Sequence, residues 1–184
     1  GSGSSLAGVS VGTLRGSGFS LTGRSLHGIY RRFEAGGEPC FITTNISERR
    51  HILVRADVCQ TLVDILYNVR QEEQILLLAF AIMPDHLHVI FVPNGTPSRA
   101  MQLIKGRFAR FYNQRAQRRG VLWQTRYHER TLWTEEALNR AIGYIHNNPI
   151  VAGLAEAPEQ YRWSSANEVY ATDLEVYLGG QAKA

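Results

Sequence analysis

The amino-acid sequence predicts an α+β fold: a ferredoxin-like or RRM-like sandwich in which helices lie mainly on one face of a central antiparallel sheet. Three observations predict it. Short apolar runs of strand length alternate with longer segments of helical period, and no run approaches the ~18 apolar residues of a membrane helix. The 184 residues are also enough to bury one core without staples. The predicted element order is β-α-β-β-α-β-α.

Local signals justify each element in turn. The predicted elements begin with a β-rich run, which is followed by a segment with apolar residues at the helical spacings of three and four. Two apolar runs separated by Pro84-Asp85 come next. These runs are followed by an amphipathic helix and by a loop with a strand. The last long helix is predicted to begin at Thr134 and to end at Pro149. The predicted ranges are 39–47, 55–73, 74–84, 86–93, 97–117, 118–133 and 134–148, with a further short helix over 161–172.

The composition of the N-terminal segment and the two cysteines indicate the domain organisation and the cellular compartment. Residues 1–27 are rich in Gly and Ser and are predicted to form a flexible tail, and residues 28–184 to form one domain with a C-terminal helical extension. Cys40 and Cys59 lack C-x-x-C spacing and indicate buried thiols in a reducing compartment. Without a signal-peptide pattern, we expect a cytoplasmic protein that makes no membrane contact.

One segment is strongly basic, although the net charge is only +4. Residues 99–130 contain nine Arg or Lys and a single acid, Glu129, and aromatic residues are interleaved with the bases. Positive charge for phosphates beside rings for bases is typical of nucleic-acid binding. A solvated helix face whose aromatics pack inward would give the same composition, so charge alone does not decide.

Two histidines stand one residue apart in the second apolar run. In a strand His86 and His88 project from the same face, roughly 7 Å apart at the backbone, and two parallel imidazoles can bind one metal ion. The alternative is a pair of strand histidines bonded to neighbours, because H-x-H arises often by chance. His128 is the rival ligand, although an exposed strand histidine explains it more simply. His146 faces away from Tyr144 on its helix and is excluded.

A second constellation lies on the last long helix, where Tyr144 and Asn148 share one face about one turn apart. Asn148 falls in the final turn, where its amide oxygen is free to bind a ligand. Tyrosine is a weak nucleophile because its reference pKa is about 10, but a nearby cation favours the phenolate. Two histidines, an oxygen ligand and a tyrosine suit cleavage of a phosphodiester by a covalent nucleophile. The alternatives are a core or surface tyrosine and an ordinary helix-end asparagine.

These motifs together resemble one family. "PDHLHV" resembles the His-hydrophobic-His motif of the HUH endonucleases, which the resemblance places on a central strand. "YIHNNPIVAGL" resembles the signature around the catalytic tyrosine of the REP-associated tyrosine transposases, single-tyrosine relatives of the insertion-sequence 200 transposases. "GRFARFYNQR", "GVLWQTRYHERTL" and "YRWSS" resemble further blocks of that family, in the same order, from about Tyr30 to Tyr170.

The resemblance implies a metal-dependent endonuclease and transposase that cleaves single-stranded DNA at repetitive extragenic palindromic hairpins. Tyr144 would form a 5′-phosphotyrosine, and His86 and His88 would bind the metal. Asn148 would be the third ligand, where the insertion-sequence relatives usually have a glutamine. An amide and phosphate oxygens favour Mg²⁺ or Mn²⁺. The branch favours a monomer over a dimer, with the site assembled within one chain.

The expected DNA-binding surface follows from residue type. Basic residues of the second helix and the loop after it are expected to bind the hairpin backbone, and three loop residues to stack on or read unpaired bases. The first set is Lys105, Arg107, Arg110, Arg115, Arg118 and Arg119, and the second is Trp123, Arg126 and Tyr127.

Two other functions remain open at this point. A non-catalytic nucleic-acid-binding protein would keep the RRM-like sheet and the basic helix without a metal. A zinc-dependent hydrolase would need a third strong ligand and an acidic general base. Asp85 is the only acid adjoining the histidine pair and is expected to point to the other face or into the turn, so the hydrolase ranks third.

Overall fold

The computed structural model describes residues 37–72 and 74–181. The predicted element order is confirmed, while the prediction of a flexible tail over 1–27 falls outside the described residues. In the described ranges no helix has the length and apolar character needed to cross a membrane. The elements are β1 (Cys40–Asn45), α1 (Ala56–Gln71), β2 (Ile75–Met83), β3 (His86–Pro93), α2 (Pro97–Arg115), β4 (His128–Thr131), α3 (Glu135–Val151) and α4 (Leu174–Gln181).

The four strands form one antiparallel sheet in the order β2-β3-β1-β4. This is the ferredoxin-like arrangement, so the predicted fold class is confirmed. β3 lies between β2 and β1, with His88 opposite Ala81 on one side and Thr43 on the other. Residues that open β3 are therefore flanked by strands on both sides, which restricts their side chains to the two sheet faces.

The two faces of the sheet are covered by different helices. Leu87, Val89 and Phe91 belong to the core formed with α1 and α2, whereas Ile90 belongs to the core formed with α3. Because side chains alternate along a strand, His88 lies on the face that α3 covers. The expectation of helices mainly on one face is corrected by this arrangement: α1 and α2 share one face, but α3 and α4 pack on the other. All nine residues of β2 are buried, so both faces require a cover.

α3 continues past Pro149, where it is predicted to end. A proline without its N–H forfeits one helical hydrogen bond, which a final turn tolerates when packing and capping favour the helix. Termination comes instead from Gly153, whose φ is +68°. Its N–H donates to the Ile150 carbonyl (2.9 Å), and the Leu154 N–H donates to the Pro149 carbonyl (2.8 Å), which closes the helix in a Schellman motif.

The segment 161–172 is not the predicted helix but follows the outer edge of β2. The Ile82 N–H donates to the Trp163 carbonyl (2.8 Å), and the Ser165 N–H donates to the Phe80 carbonyl (2.9 Å). These backbone bonds satisfy an edge strand that would otherwise expose unpaired groups, and they take precedence over local helix propensity.

Asp173, the residue immediately before α4, bonds this segment to β2 and α1. Its carboxylate accepts from the Leu77 N–H (2.9 Å) and forms a two-pronged ion pair with Arg70 of α1 (2.7 and 2.8 Å). The C-terminal part of the chain is thereby tied to β2 and to α1.

Candidate active site

The histidine pair opens β3 directly after the Pro84-Asp85 turn. The Nε2 atoms of His86 and His88 are 3.1 Å apart, and His88 is only 4% exposed. Two imidazoles that bind one ion at ~2.1 Å and a right angle have nitrogens ~3.0 Å apart. The separation therefore fits two neighbouring positions on a single cation.

Hydrogen bonds at the opposite ring nitrogens orient both imidazoles. His88 Nδ1 lies 2.7 Å from the Thr43 hydroxyl, and His86 Nδ1 lies 2.6 Å from Asp85 Oδ1. A partner at Nδ1 sets the tautomer that presents a bare Nε2 to a metal. A hydroxyl both donates and accepts, so Thr43 matches His88 with or without a proton on Nδ1.

The environment of His88 keeps its ring neutral. Burial, followed by the electrostatic effect of the neighbouring His86 imidazole, lowers its pKa from 6.5 to about 3, although a hydrogen bond with Asn148 acts in the other direction. Metal ligands must be deprotonated. His88 is consequently in its ligand form across the physiological pH range.

The orientation of Asp85 differs from the prediction. The sequence predicts that it points to the other face or into the turn, but it is buried beside the site, bonded to His86 and ion-paired with Arg49 (Nε to Oδ2, 2.7 Å). Within the described ranges no three His, Cys, Asp or Glu side chains form a group able to hold a metal. A third protein ligand would thus be an amide, which does not favour the zinc hydrolase.

α3 brings the tyrosine and the asparagine to the histidines. The ring centroids of Tyr144 and His88 are 5.7 Å apart, and Phe41 flanks both rings. Tyr144 is 56% exposed, so its phenol is open to a large substrate. The Asn148 Nδ2 group donates to the Tyr144 carbonyl (2.9 Å), so that Oδ1 is the atom that could act as a ligand. His86, His88, Tyr144 and Asn148 therefore come together from β3 and α3.

The two other histidines of interest occupy different positions. His146 Nε2 bonds to the Ser165 hydroxyl (2.9 Å), against the segment that follows β2, so its exclusion agrees with the geometry. His128 pairs with Thr43 at the start of β4 and is exposed, with β1 between it and His88. It borders the site at the β4 edge of the sheet.

The basic helix α2 packs against the face opposite the histidine pair. Several of its cations already have protein partners. Arg107 pairs with Glu72 through two bonds of 2.8 Å, Arg115 pairs with Asp57, and the Lys105 ammonium donates to the Gln124 carbonyl (2.8 Å). These three predicted DNA contacts thus also have structural roles.

The predicted stacking role of Trp123 is wrong for this structure. Its side chain is 4% exposed, its indole N–H donates to the Lys105 carbonyl (3.2 Å), and its ring packs 5.4 Å from that of Phe108. Trp123, Lys105 and Tyr127 line a groove of about 470 Å³ between α2 and the 120–127 loop. The well-exposed tryptophan is instead Trp133, at 74%.

The remaining predicted contacts lie at the surface. Arg110, Arg119 and Arg126 are exposed, and Arg118 is half-buried with a long bond to the Val121 carbonyl (3.4 Å). Their positions on α2 and in the loop that leads to β4 leave them accessible to a polyanion.

Sequence reasoning missed the neighbours that β1 and its following turn contribute: Phe41, Thr43, Asn45 and Arg49. The Arg130 guanidinium of β4 also lies over the Phe41 ring, at 5.6 Å from its centroid. Alternation along β1 was a usable signal, because Phe41, Thr43 and Asn45 share one face and oppose Ile90, His88 and His86 in the register.

The chain matches one known family and is similar to solved structures. The family described as "Transposase IS200 like" matches residues 42–148, from β1 to Asn148. A solved REP-associated tyrosine transposase, described as bound to a REP hairpin, shares the fold at a TM-score of 0.61 and 22% identity, covering 75% of this chain and 87% of its own. A second solved structure, described as a proposed transposase from Deinococcus radiodurans R1, has a TM-score of 0.45 and 24% sequence identity, and the match covers 61% of this chain and 92% of that one. No curated protein matches.

Proposed function

We propose that this chain, which belongs to the IS200-like transposase family, cleaves single-stranded DNA at palindromic hairpins through a covalent tyrosine intermediate. The transposase role follows from the family, and the cleavage chemistry is our inference from the site. One observation carries it: an exposed tyrosine stands 5.7 Å, ring to ring, from a buried and neutral histidine whose partner histidine offers its Nε2 3.1 Å away.

In the proposed reaction the Tyr144 oxygen attacks the scissile phosphorus. A phosphorus–oxygen bond to the tyrosine forms, and the bond from phosphorus to the DNA 3′-oxygen breaks. The phenol proton passes to solvent, and the departing oxygen takes up a proton to become a free 3′-hydroxyl. Phe41, edge-on to Tyr144, restricts the ring, so that the nucleophile is oriented before DNA binds.

The residues that would hold a divalent cation are His86 and His88 through Nε2 and Asn148 through Oδ1. Mg²⁺ or Mn²⁺ suits this mixed set, because the DNA phosphate adds hard oxygen donors. When bound, the cation would polarise the scissile phosphate and offset the charge that develops on it.

The proposed substrate is a repetitive extragenic palindrome, a hairpin with unpaired flanking nucleotides. Support comes from the similar solved structure, described as holding a REP hairpin, and from the exposed cations of this chain. Arg110, Arg119 and Arg126 would bind phosphates on the outer surface. Arg130 and His128 would border the strand that enters the site, because β4 places them on the site face of the sheet.

We also propose that the protein acts as a monomer, in the cytoplasm. Tyr144 reaches His88 of the same chain, so a second subunit is not needed to complete the constellation. The outer edge of β2 is already paired with the segment around Ser165, so that this edge is not open to strand pairing with another copy.

The direct test is incubation of labelled single-stranded REP hairpins with the protein and Mn²⁺, followed by a denaturing gel. The wild type is expected to give a protein–DNA adduct and a nicked strand, whereas Tyr144→Phe gives neither. Hairpin affinity should stay within about twofold, since only a hydroxyl is removed. Tyr112→Phe is the matched control, because Tyr112 lies on α2 beside Phe108, on the opposite face.

The alternative of a non-catalytic binder makes the opposite prediction. It requires hairpin binding that a chelator does not change, with no adduct from any variant. Full cleavage by Tyr144→Phe would identify another residue as the nucleophile.

A further inference from the structure

The turn after β1 holds two consecutive residues in an unusual backbone conformation. Glu48 and Arg49 have φ of 60° and 53°, in the left-handed region that residues with a Cβ rarely adopt. Such conformations are sterically unfavourable for these residues and persist only where the surroundings enforce them. The Ser47 N–H donates to the Leu122 carbonyl (2.8 Å), and the Arg49 N–H to the Ile46 carbonyl (3.0 Å), which fixes the turn.

The strained turn places the Arg49 side chain next to Asp85, which bonds to His86 of the histidine pair. Arg49 Nε lies 2.7 Å from Asp85 Oδ2, and its Nη1 group donates to the Asn45 side-chain oxygen. The other oxygen of Asp85 lies 2.6 Å from His86 Nδ1. Asp85 is therefore held between the guanidinium and the imidazole, with both carboxylate oxygens in use.

The contacts continue from Asn45 into the basic loop. The Asn45 side-chain amide donates to Gln124 Oε1 (3.2 Å), and the Asn45 carbonyl accepts from the Gln124 N–H (2.8 Å). An unbroken set of hydrogen bonds thus joins Gln124, through Asn45, Arg49 and Asp85, to His86. The loop that carries Arg126 is connected in this way to the candidate metal ligand.

We propose that Asp85 and Arg49 are positioning residues of the metal site: Asp85 keeps the His86 proton on Nδ1 so that Nε2 is bare, and Arg49 fixes Asp85 in that role. This inference rests on the proposed function, because it assumes that His86 binds the cation. Neither residue touches the reacting atoms. Their effect is to prepare the ligand before the metal arrives.

The side chains can be tested without dismantling the turn. The backbone around Asp85 is held independently, since the Ile46 N–H donates to the Asp85 carbonyl and the Leu53 N–H donates to the Pro84 carbonyl (2.8 and 2.9 Å). Asp85→Asn removes the negative charge while keeping the shape. Arg49→Ala removes the guanidinium, and Arg49→Lys keeps a charge with one contact in place of two.

The first measurement is Mn²⁺ affinity by titration calorimetry on the full chain. Loss of a group that orients a metal ligand costs about 10- to 100-fold in affinity. We expect that loss for Asp85→Asn and Arg49→Ala, and a smaller loss for Arg49→Lys. Matched controls are Asp57→Asn and Arg55→Ala, which break a similar but exposed carboxylate–guanidinium pair at α1 and should leave affinity unchanged.

The second measurement needs no metal. Long-range ¹H–¹⁵N correlation spectra of the metal-free protein report which nitrogen of His86 carries the proton. The wild type is expected to show Nδ1–H, and Asp85→Asn to show a mixture with the other tautomer.

The two measurements separate this inference from the proposed function. Unchanged Mn²⁺ affinity in Asp85→Asn and Arg49→Ala, or an unchanged His86 tautomer in Asp85→Asn, would overturn the positioning role and leave the nuclease intact. Absence of Mn²⁺ binding by the wild type, with the expected tautomer shift, would support the role of Asp85 and defeat the metal-dependent function. If Asp85→Asn or Arg49→Ala fails to fold, as judged by urea unfolding, the Mn²⁺ affinity of the other variant tests the positioning role.

Discussion

At the residue scale, the chemistry of the site depends on how each histidine is surrounded. His88 is enclosed by Thr43, Phe41 and the Tyr144 ring and lies beside a second imidazole. Desolvation and, to a smaller extent, the electrostatic effect of the neighbouring His86 imidazole both disfavour its protonated form, which is why its pKa falls to about 3. A buried neutral imidazole in this position is suited to bind a cation and unsuited to act as a proton donor at neutral pH.

This burial predicts a pH-dependent stability of the metal-free protein. The unfolded chain takes up a proton on His88 near pH 6.5, while the folded chain does so only near pH 3. The stabilisation is therefore complete above pH 6.5 and is lost progressively as the pH falls toward 3, with a slope that approaches about 1.4 kcal/mol per pH unit. Urea unfolding between pH 7.5 and 5, above the range where carboxylates titrate, measures it.

A variant isolates the residue responsible. His88→Gln should flatten the dependence, leaving a smaller slope from His146, whose pKa burial also lowers. His51→Gln, which removes an exposed histidine, should retain the full slope. Equal slopes in wild type and His88→Gln would show that the ring is not protected from protons in the folded state.

The spacing of His86 and His88 was enough to predict that they share a face, because strand alternation is a local property. The burial of Trp123 and the orientation of Asp85 were not predictable in the same way. Trp123 lies in a basic, polar loop but fills a space between α2 and the sheet that exists only after folding. Asp85 turns toward the site because Arg49, distant in sequence, holds it there.

At the scale of elements, α3 sets the distance between Tyr144, the proposed nucleophile, and Asn148, the proposed third ligand. Tyr144 and Asn148 are one turn apart, and Asn148 lies only a few residues before the end of the helix. Its position therefore depends on how the helix is closed. Gly153 provides that closure in a conformation that favours glycine.

Two glycine substitutions in this part of the chain should have opposite effects. Gly153→Ala forces a Cβ into the left-handed region and should lower the free energy of unfolding by about 1 kcal/mol. Gly143→Ala lies within α3, where an added Cβ meets nothing within 4 Å, and should raise it by about 0.5–1 kcal/mol. Urea unfolding at neutral pH measures both. Equal effects of the two changes would contradict the assigned helix end.

Element boundaries show which local signals dominate. Pro149 predicts the end of α3, yet the "AG" at 152–153 is the stronger signal, because a glycine in the left-handed region lets the following N–H groups reach the last carbonyls, whereas a proline only removes one donor. Thr134 was recognised correctly as the N-cap: its hydroxyl accepts from the Ala137 N–H (3.1 Å). The helix predicted over 161–172 does not form, because the backbone of this segment bonds to β2, and no local sequence pattern reveals such a partner.

At the scale of the whole molecule, the basic helix and the candidate active site lie on opposite faces of one sheet. Composition predicted both features but could not place them relative to each other, since that depends on which helix covers which face. A hairpin bound on α2 would have to pass around the β4 edge to bring an unpaired strand to Tyr144. Arg126 and Arg130 line that route through the loop and β4.

Assembly of the site within one chain predicts the outcome of a mixing experiment. Tyr144→Phe and His88→Ala are each expected to be inactive, and their mixture is expected to remain inactive, because neither chain holds a complete constellation. Light scattering should give a mass near 20.7 kDa. Recovery of adduct in the mixture would show that subunits exchange α3.

The measurement that tests the central claim most directly is the identification of the residue joined to DNA. After reaction with a REP hairpin and Mn²⁺, trypsin should release residues 141–162 carrying a nucleotide, and fragmentation should place it on Tyr144 and not on Tyr161, which lies in the same peptide. Attachment at any other residue, or the absence of a linked peptide from active wild-type protein, would contradict the account.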